Sequence, residues 1–264
     1  MDKKYKISVL MGIFNCESTL QEALDSLYKQ SYQNFKIIMC DDGSSDDTLK
    51  IAERNAFTHD NVIVLKNSKN MGLNYTLNRC LQYADTEYIA RMDGDDLSLP
   101  NRFETEITFL EQYPEYGVVS SPMIYFDESG DFRFGIGKGE IVSSDFIHGT
   151  PICHAPSMSR TSVIKDVGGY SVDEKLLRVE DYHLWFKVFA KGFKLYMLKE
   201  PLYKMRDDRK AIARRNWLTR RNEAYVKHIG YKMIGLPWYT QFFACIPIIK
   251  FIVPKCIYNL IHRQ

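Results

Sequence analysis

Apolar strands alternate with amphipathic helices over the first hundred residues. Residues 6–14 (KISVLMGIF) are apolar on both faces, which is typical of a strand buried within a parallel sheet. Residues 17–30 then carry apolar side chains at helical spacing, and Ser18 with Gln21 could form a capping box. The remaining segments, in order, are FKIIMC, LKIAERNAF, NVIVLK, GLNYTLNRCLQYA and EYIARM. This order predicts a doubly wound α/β domain.

Three polar clusters follow predicted strands, at residues 15–17, 41–46 and 93–96. In α/β sheets, ligands bind beyond the carboxyl ends of the strands. Because three such ends carry polar side chains, we expect the clusters to line one binding crevice.

The third cluster crowds three aspartates, Asp93, Asp95 and Asp96, into four residues. A calcium loop is excluded because Leu97 and Ser98 stand where an oxygen ligand and a glycine are needed. A phosphatase of the Asp-x-Asp type would carry its pair after the first strand, not the fourth. Hard carboxylate oxygens suit Mg²⁺ or Mn²⁺, which take their remaining ligands from water and a diphosphate. A metal–diphosphate site is therefore predicted, with a solvated turn as the alternative.

The second cluster, CDDGSSDDT, combines two functions. One of Ser44, Ser45 and Asp46 is expected to cap the helix that follows. Capping does not account for Asp41 and Asp42 at the strand end itself. A carboxylate there can accept a hydrogen bond from a nucleotide base or a ribose hydroxyl.

Other features have a structural and a functional interpretation. Gly72, at a predicted helix start, serves a tight turn or allows the backbone to approach a ligand closely. Glu180 and Asp181 open the predicted helix EDYHLWFKVFAKG. One acid there suits the helix dipole, and the second suggests a general base. His154 is either a polar core residue or an acceptor contact.

Charge is distributed unevenly along the 264 residues, whose formal net charge is +2. Residues 204–232 hold ten Lys/Arg and three Asp/Glu, a balance of +7, so the other 235 residues carry −5. This basic section predicts an anionic partner such as a membrane surface or phosphates, and argues against nucleic acid. The six cysteines form no C-x-x-C pair, which disfavours a zinc ribbon or a disulfide framework and fits a reducing compartment.

An apolar stretch follows the basic section. Residues 233–249 are 17 uncharged residues, fewer than the about 20 of a spanning helix, and Pro237 and Pro247 interrupt them. Aromatic residues such as Trp238 and Phe242, together with spaced lysines, suit an interfacial helix lying on a membrane. A core helix, a homodimer face and a spanning helix are the alternatives.

Together these clusters resemble the family 2 glycosyltransferases, which have the GT-A fold, a Rossmann-like mixed central sheet flanked by helices. The matching pieces cover about residues 5–205 and include SVLMGIFNCESTLQEALDSLYKQSY, CDDGSSDDT, NMGLNYTLN, ARMDGDDLSLPNRFETEITFL, CHAPSMSRTSVIKDVGGY and VEDYHLWFKV. Each piece is weak alone, whereas their order is specific. The variant RMDGDD…P.RFE is similar to bacterial enzymes that build capsule, O-antigen or other surface polysaccharides.

The resemblance implies a nucleotide pocket at the first two clusters. Asp41 would contact the base, and Ile13, Asn15 and Glu17 would line the same pocket. The other nucleotide-binding residues expected from the matching motifs are Asp42, Gly72 and Asn78.

The resemblance also implies inverting transfer of a hexosyl or N-acetylhexosaminyl group from a nucleotide-diphosphate sugar, with UDP favoured. Asp93 would lie near the ribose and the metal, and Asp95 would bind Mg²⁺ or Mn²⁺. Asp181 would remove a proton from the acceptor hydroxyl, with Glu180 beside it as an acceptor or orienting residue. The hydroxyl oxygen would attack the anomeric carbon while the metal stabilises the departing diphosphate.

Two positions depart from the family's pattern. His183 stands where relatives often have aspartate, two residues past the proposed base. Some relatives also carry a histidine near YKMRDD that helps to bind the metal or diphosphate, and none is present here. Lys204 or Arg206 would contact the diphosphate in its place, which leaves the third protein ligand of the metal unassigned.

The resemblance divides the chain into a nucleotide-sugar-binding half (1–100), an acceptor-binding half (101–205) and a C-terminal helical, membrane-associating extension (206–264). It implies a glycan or lipid-diphosphate-linked acceptor and a cytoplasmic protein, peripheral at the inner face of the membrane. One rival is a sugar-nucleotide nucleotidyltransferase, which usually has a Gly-rich loop where this chain has FNCESTL. The other is a non-catalytic sugar-binding protein, against which Asp95 and Asp181 argue.

Overall fold

The apolar segments at the start of the chain form the centre of one mixed sheet in the computed structural model, which describes residues 4–207 and 217–252. The strands are β1 (Ile7–Ile13), β2 (Phe35–Asp41), β3 (Val62–Lys66), β4 (Tyr88–Arg91), β5 (Leu97–Ser98), β6 (Tyr116–Ser120), β7 (Met123–Asp127), β8 (Gly130–Phe134), β9 (Gly139–Glu140), β10 (Met158–Arg160), β11 (Lys194–Met197) and β12 (Tyr203–Arg206). The α-helices are α1 (Leu20–Tyr28), α2 (Thr48–Thr58), α3 (Leu73–Gln82), α4 (Arg102–Gln112), α5 (Thr161–Asp166), α6 (Glu180–Ala190), α7 (Trp217–Met233), α8 (Gln241–Ala244) and α9 (Ile246–Ile252).

The larger sheet has eight strands in the order β3-β2-β1-β4-β10-β6-β11-β9. The neighbours β3, β2, β1 and β4 run parallel, and β10 is antiparallel to both β4 and β6. The four strands predicted from the start of the sequence are therefore confirmed, and the sheet is mixed as the resemblance implies. Because β10 joins β4 to β6, the two proposed halves share this sheet, and the division at residue 100 stays a prediction.

A second sheet has the order β5-β12-β7-β8. Its strand β5 comes directly after the three aspartates and pairs antiparallel with β12. This pairing returns a late segment of the chain to the end of β4, where the aspartates lie.

Helices cover both faces of the larger sheet. Successive residues of β1 point to opposite faces, so this strand contributes side chains to both cores. Val9 and Met11 pack with α1 and α4, whereas Leu10 packs in the core that contains Leu77 of α3 and Trp185 of α6. All three β1 residues are buried, as expected for a strand with helices on both sides.

The capping box predicted for Ser18 and Gln21 is wrong. Helix α1 begins at Leu20, one residue later than such a box requires, and no side chain caps it. A preceding turn satisfies the backbone amides of Thr19 and Leu20, which both donate to the carbonyl of Cys16. Gln21 instead donates to Asp25 Oδ1 at 2.8 Å, on the outer face of the helix.

The C-terminal section is helical, as predicted, within residues 217–252. Helix α7 packs against α6, and α8 and α9 pack against α7. Within the ranges that the structure describes, no helix has the length and apolar character needed to cross a bilayer. Residues 208–216 and 253–264 of the predicted extension lie outside those ranges.

Candidate active site

The carboxyl ends of β1, β2 and β4 bring the three polar clusters to one edge of the sheet. The backbone amide of Asn15 donates to Ser44 Oγ at 3.0 Å, which joins the first cluster to the second. Thr19 Oγ1 donates to the carbonyl of Gly94 at 3.0 Å, which joins the loop after the first cluster to the third. Ile13 is buried beneath them as the last residue of β1. The three clusters therefore lie together at one edge of the sheet, and the binding crevice that they are expected to line stays a prediction.

Asn15 and Glu17 fasten the loop after β1 to the loop after β2. Asn15 has φ 47, a left-handed conformation that asparagine tolerates better than most residues, and its Oδ1 accepts from the amide of Ser45 at 2.9 Å. Glu17 Oε2 accepts from the amide of Asp47 at 2.8 Å. These contacts shape the loops of the expected nucleotide pocket, and direct contact of either side chain with a nucleotide stays a prediction.

Asp41 is held at the end of β2 by a tight turn. Its Oδ2 accepts from the amides of Gly43 and Ser44, both at 3.2 Å. Gly43 has φ 75, and a Cβ there would lie 2.8 Å from the carbonyl carbon of Lys69, so only glycine fits. The turn orients the buried Asp41 carboxylate before any ligand arrives.

Asp42 makes different contacts from the adjacent Asp41. Its Oδ1 accepts from Asn67 Nδ2 at 2.7 Å and from the amide of Met71 at 2.8 Å, and its Oδ2 accepts from the amide of Gly72 at 2.9 Å. The carboxylate is buried and fastens the segment before α3. These contacts give Asp42 a positioning role, and the direct nucleotide contact expected of it stays a prediction.

Gly72 and Asn78 flank the first turns of α3. Gly72 has φ 88 and ψ 158, a conformation that glycine alone adopts readily, so the tight-turn interpretation holds. Asn78 lies more than one turn into the helix, where its Nδ2 donates to the carbonyl of Tyr170 at 2.7 Å and its Oδ1 accepts from the Tyr170 amide at 2.8 Å. Both ends of this amide join α3 to the segment after α5, which is a structural role, and the nucleotide contact expected of Asn78 stays a prediction.

Asp93 is paired with Arg91, a buried residue of the RMDGDD motif to which the sequence pattern assigns no role. Arg91 Nη2 lies 2.5 Å from Asp93 Oδ1, and Arg91 is only 5% exposed. Burial lowers the pKa of Arg91, but the charge of Asp93, the hydrogen bond to it and the nearby Tyr203 together outweigh this effect, and the net pKa is raised. Among the described residues, Nε and Nη1 of Arg91 have no hydrogen-bond partner.

Asp95 and Asp96 have unequal roles. Asp96 is buried, and its Oδ1 accepts from the Arg206 amide at 2.8 Å, which anchors β12 to the aspartate turn. Burial and the charges of Asp93 and Asp95 raise its pKa to about 8. Burial and Asp93 also raise the pKa of Asp95. The repulsion among these carboxylates is relieved either by protons or by a bound cation.

Strand β12 places Lys204 and Arg206 differently. Arg206 Nε donates to the carbonyl of Asp95 at 3.0 Å, and its Nη2 pairs with Glu22 Oε2 at 2.5 Å. Lys204 pairs with both carboxylate oxygens of Asp131, at 2.9 and 2.7 Å. Arg206 thus adjoins the aspartate turn, whereas Lys204 is engaged with β8, so Arg206 is the better candidate for the predicted diphosphate contact.

Arg102 supports the same turn from below. It is fully buried beside Glu106, with Nε 3.1 Å from Glu106 Oε2. Its Nη2 donates to the carbonyl of Arg91 at 2.9 Å and makes 3.4 Å contacts with the carbonyls of Ala155 and Ser157. Its position in PNRFETE, four residues before Glu106, was the available sequence signal for an ion pair.

Glu180 and Asp181 are the first two residues of α6, and both are partly buried. Burial raises the pKa of Asp181. Hydrogen bonds from the backbone amides of Tyr182 and Asp181, and the charge of Arg91, partly offset this rise. Burial and the Asp181 charge raise the pKa of Glu180. Glu180 Oε2 is buried and has no hydrogen-bond partner within the described ranges. Two acids with raised pKa values exceed what the helix dipole needs.

His154 belongs to an aromatic group behind Arg91. Its Nε2 lies 2.7 Å from the hydroxyl of Tyr170, and its ring meets that of Trp185 edge to face, with centroids 6.0 Å apart. Burial and the charge of Arg91 hold its pKa well below 6.5, so the ring is neutral. These contacts favour the polar-core interpretation, and an acceptor contact stays a prediction.

The donor atoms on the third cluster fit an open divalent-metal site. Across residues 4–207 and 217–252, no three His, Cys, Asp or Glu side chains converge as a closed metal cage. Asp93 and Asp95 supply crowded carboxylates beside the sheet edge, and the raised pKa of Asp95 reflects that crowding. Mg²⁺ and Mn²⁺ accept such partial sets and complete their coordination with phosphate oxygens and water.

A cleft of about 600 Å³ opens at the start of α6. Its lining includes Thr150, Arg178, Asp181, Met205 and Arg220, which come from α6, the segment before it, β12, α7 and the loop near residue 150. This cleft can hold a second substrate with a hydroxyl directed at Asp181.

Comparison with known sequences identifies the family. Residues 8–168 match the family described as Glycosyl transferase family 2. The putative glycosyltransferase EpsE of Bacillus subtilis is 38% identical over 270 residues, which cover 100% of this chain and 95% of that protein. The Escherichia coli protein WfaP, a UDP-Glc:α-D-GlcNAc-diphosphoundecaprenol β-1,3-glucosyltransferase, is 26% identical over 71% of this chain and 72% of its own.

Solved structures share the fold. TarS of S. aureus, residues 1–349 in complex with UDP-GlcNAc, matches with a TM-score of 0.73 at 18% identity, covering 98% of this chain and 76% of its own. The mannosyltransferase PcManGT of Pyrobaculum calidifontis, in complex with GDP-Man and Mn²⁺, matches with a TM-score of 0.62 at 16% identity, covering 98% and 79%. Both support a GT-A-like α/β fold with a mixed central sheet.

Proposed function

Because this chain belongs to glycosyltransferase family 2, we propose that it transfers a sugar from a nucleotide-diphosphate sugar to a glycan hydroxyl, with inversion, in the synthesis of a bacterial surface polysaccharide. One observation carries the proposal. Arg91 pairs with Asp93 in the aspartate turn, and its charge partly offsets the rise that burial causes in the pKa values of Glu180 and Asp181. A donor–metal site and a candidate base thus lie within electrostatic reach of one buried cation.

The donor occupies the crevice at the ends of β1, β2 and β4. Asp41, oriented by its turn, accepts from the nucleotide base, while the loops that Asn15 and Glu17 fasten form the walls. We infer a UDP-sugar donor, which TarS in complex with UDP-GlcNAc and the UDP-Glc transferase WfaP support by similarity.

Asp95 and Asp93 would hold Mg²⁺ or Mn²⁺, with Arg206 beside them. When bound, the ion would offset the negative charge that develops on the departing diphosphate. Arg206 can contribute a second positive charge, because its guanidinium contacts the backbone of the same turn.

Asp181 is the proposed general base. A raised pKa brings a carboxylate closer to the working pH and makes it a stronger base. Asp181 accepts the proton of the acceptor hydroxyl, whose oxygen attacks the anomeric carbon from the side opposite the diphosphate. Glu180 has a buried oxygen with no partner among the described residues. It orients the acceptor by accepting a hydrogen bond from a second hydroxyl.

The acceptor is proposed to be lipid-linked and to reach the cleft from the inner face of the cytoplasmic membrane. After Glu223 the chain contains five Lys/Arg and no Asp or Glu. Trp238 is 77% exposed and Phe242 is 69% exposed after the end of α7, while the rings of Trp217 and Phe251 contact each other at a tilted angle near its start. Exposed aromatic residues on a cationic segment suit the interface of an anionic bilayer.

Product analysis tests the reaction class. Purified protein is incubated with Mn²⁺, a panel of nucleotide sugars and a synthetic lipid-diphosphate sugar acceptor. A transferase releases nucleoside diphosphate and extends the acceptor. Pyrophosphate exchange would instead indicate a nucleotidyltransferase, and tight donor binding without turnover of any panel member would indicate a sugar-binding protein.

A further inference from the structure

One charged side chain that lines the acceptor cleft, Arg178, has no role in the proposed mechanism. Glu223, in the cleft wall, already has two cationic neighbours: Arg220 Nη1 at 3.0 Å and Lys227 Nζ at 3.9 Å. Arg178 lines the same cleft, is exposed, and forms no ion pair or side-chain hydrogen bond with any residue in the described ranges. Its guanidinium is therefore available to a ligand.

The backbone of Arg178 is held in an unusual conformation. Its φ is 65, and among the described residues other than glycine only Asn15 also has a positive φ. Asparagine tolerates this region, whereas arginine has no short polar side chain to compensate the cost. Such strain persists only where surrounding contacts impose it, and it concentrates at functional sites.

Helix α7 supplies those contacts through Asn222. This side chain is 1% exposed, and its Nδ2 donates to the carbonyls of Glu174 at 3.1 Å and Leu177 at 3.2 Å. The amide of Val179 closes the turn by donating to the carbonyl of Leu176 at 3.2 Å. The segment on both sides of Arg178 is thus fixed, and its side chain is presented to the cleft two residues before Glu180.

We propose that Arg178, together with Arg220, which also lines the cleft, binds the phosphate that joins the acceptor glycan to its carrier. This inference rests on the proposed transferase function and adds a substrate feature to it. The planar fork of a guanidinium matches phosphate oxygens in a bidentate manner. The aspartates proposed to hold the donor's diphosphate are absent from the cleft lining, so the anion that Arg178 meets belongs to the acceptor.

The decisive variant is Arg178→Asn, because asparagine tolerates a positive φ and carries no charge. Arg178→Lys keeps the charge but loses the fork. The matched control is Lys175→Asn, which removes one positive charge from the same short segment at an exposed position that does not line the cleft. Equal thermal midpoints would verify that all three variants fold.

Binding is measured by calorimetry in the Asp181→Asn background, which removes turnover. The probes are a decyl-diphosphate-linked GlcNAc, the corresponding decyl GlcNAc without phosphate, decyl diphosphate alone, and UDP. In this background, the cleft with Arg178 intact should bind both diphosphate compounds about tenfold or more tightly than decyl GlcNAc. Arg178→Asn should remove most of this preference, Arg178→Lys should keep part of it, and Lys175→Asn should keep all of it.

Several outcomes would overturn the proposal. These are the absence of a preference for diphosphate in the cleft with Arg178 intact, an unchanged preference in Arg178→Asn, and a loss of UDP affinity equal to the loss for decyl diphosphate. The last result would assign Arg178 to the donor. Failure of the transferase function itself is read separately, as no nucleoside diphosphate release from the chain with Asp181 intact.

Discussion

The guanidinium of Arg91 lies 2.5 Å from Asp93 Oδ1 and is almost completely buried at the end of β4. Its charge also acts on the carboxylates of Glu180 and Asp181 at the start of α6. One side chain therefore supports the proposed metal turn and tunes the proposed base. This relation links the donor half of the site to the acceptor half.

Replacing Arg91 with methionine should move the acid limb of the pH–rate profile to higher pH. The positive charge of Arg91 lowers the pKa of Asp181, so its loss raises that pKa further and more alkaline solution is needed to deprotonate the base. The measurement is kcat/KM against pH for the wild type and the variant. An acid limb at the same pH in both proteins would contradict the assigned coupling.

In the wild type, transfer should decline on acidification at a pH clearly above 3.8, the ordinary pKa of an aspartate. Burial disfavours the charged form of Asp181, so protonation occurs at higher pH than for an exposed carboxylate. UDP binding, measured over the same pH range, separates loss of the base from loss of the donor. A flat profile down to pH 4 would argue against Asp181 as the base.

Asp42→Asn should destabilise the fold by roughly 2–4 kcal/mol, because the carboxylate accepts three hydrogen bonds and an amide cannot accept at both ends. Chemical denaturation measures this change. Asp41→Asn is the matched control, and it should mainly weaken UDP binding. If Asp42→Asn left stability unchanged and reduced only UDP affinity, the result would support direct contact between Asp42 and the nucleotide.

Arg102→Met should cost about 3–5 kcal/mol of unfolding free energy, since it leaves the buried Glu106 without its cation. The pKa of Glu106 is already raised to about 7 by burial, despite the opposing charge of Arg102. The double variant Arg102→Met with Glu106→Leu should recover part of the loss. Equal destabilisation by the single and double variants would show that the contacts of Arg102 with backbone carbonyls matter more than the ion pair.

Trp238→Ser combined with Phe242→Ser should weaken binding to phosphatidylglycerol vesicles by about tenfold, because both side chains are exposed on the cationic C-terminal section. Phe57→Ser removes an aromatic side chain on α2 that is even more exposed, at 91%, and should have no effect. Vesicle co-sedimentation with phosphatidylcholine as the neutral reference measures the difference. Unchanged sedimentation, or a monomer–dimer shift in the double variant, would favour a homodimer face instead.

Periodicity and strand-end chemistry were sufficient to predict the parallel half of the fold and the meeting of the three polar clusters at one edge of the sheet. The antiparallel β10 is only three residues long, Met158–Arg160, and carries no alternation that distinguishes it from a loop. Its position between β4 and β6 depends on long-range pairing.

Side-chain roles were less predictable than positions. Asp41 and Asp42 are adjacent and chemically identical, yet the amides of Gly43 and Ser44 hold one carboxylate while the loop before α3 holds the other. Arg91 lies within RMDGDD and Arg178 directly precedes VEDYHLWFKV, but neither motif assigns a role to the arginine. Their proposed roles depend on the burial of Arg91 beside Asp93, two residues along the chain, and on the left-handed backbone at Arg178, which α7 supports from a distant part of the sequence.

The most direct test of the central claim is the variant Asp181→Asn, assayed side by side for transfer and for UDP-sugar binding. If Asp181 is the base, nucleoside diphosphate release in the presence of acceptor should fall by about 10²–10⁴-fold, while donor affinity stays close to that of the wild type. Retained transfer, or loss of donor binding in parallel with transfer, would contradict the assignment of Asp181 and the acceptor cleft built around it.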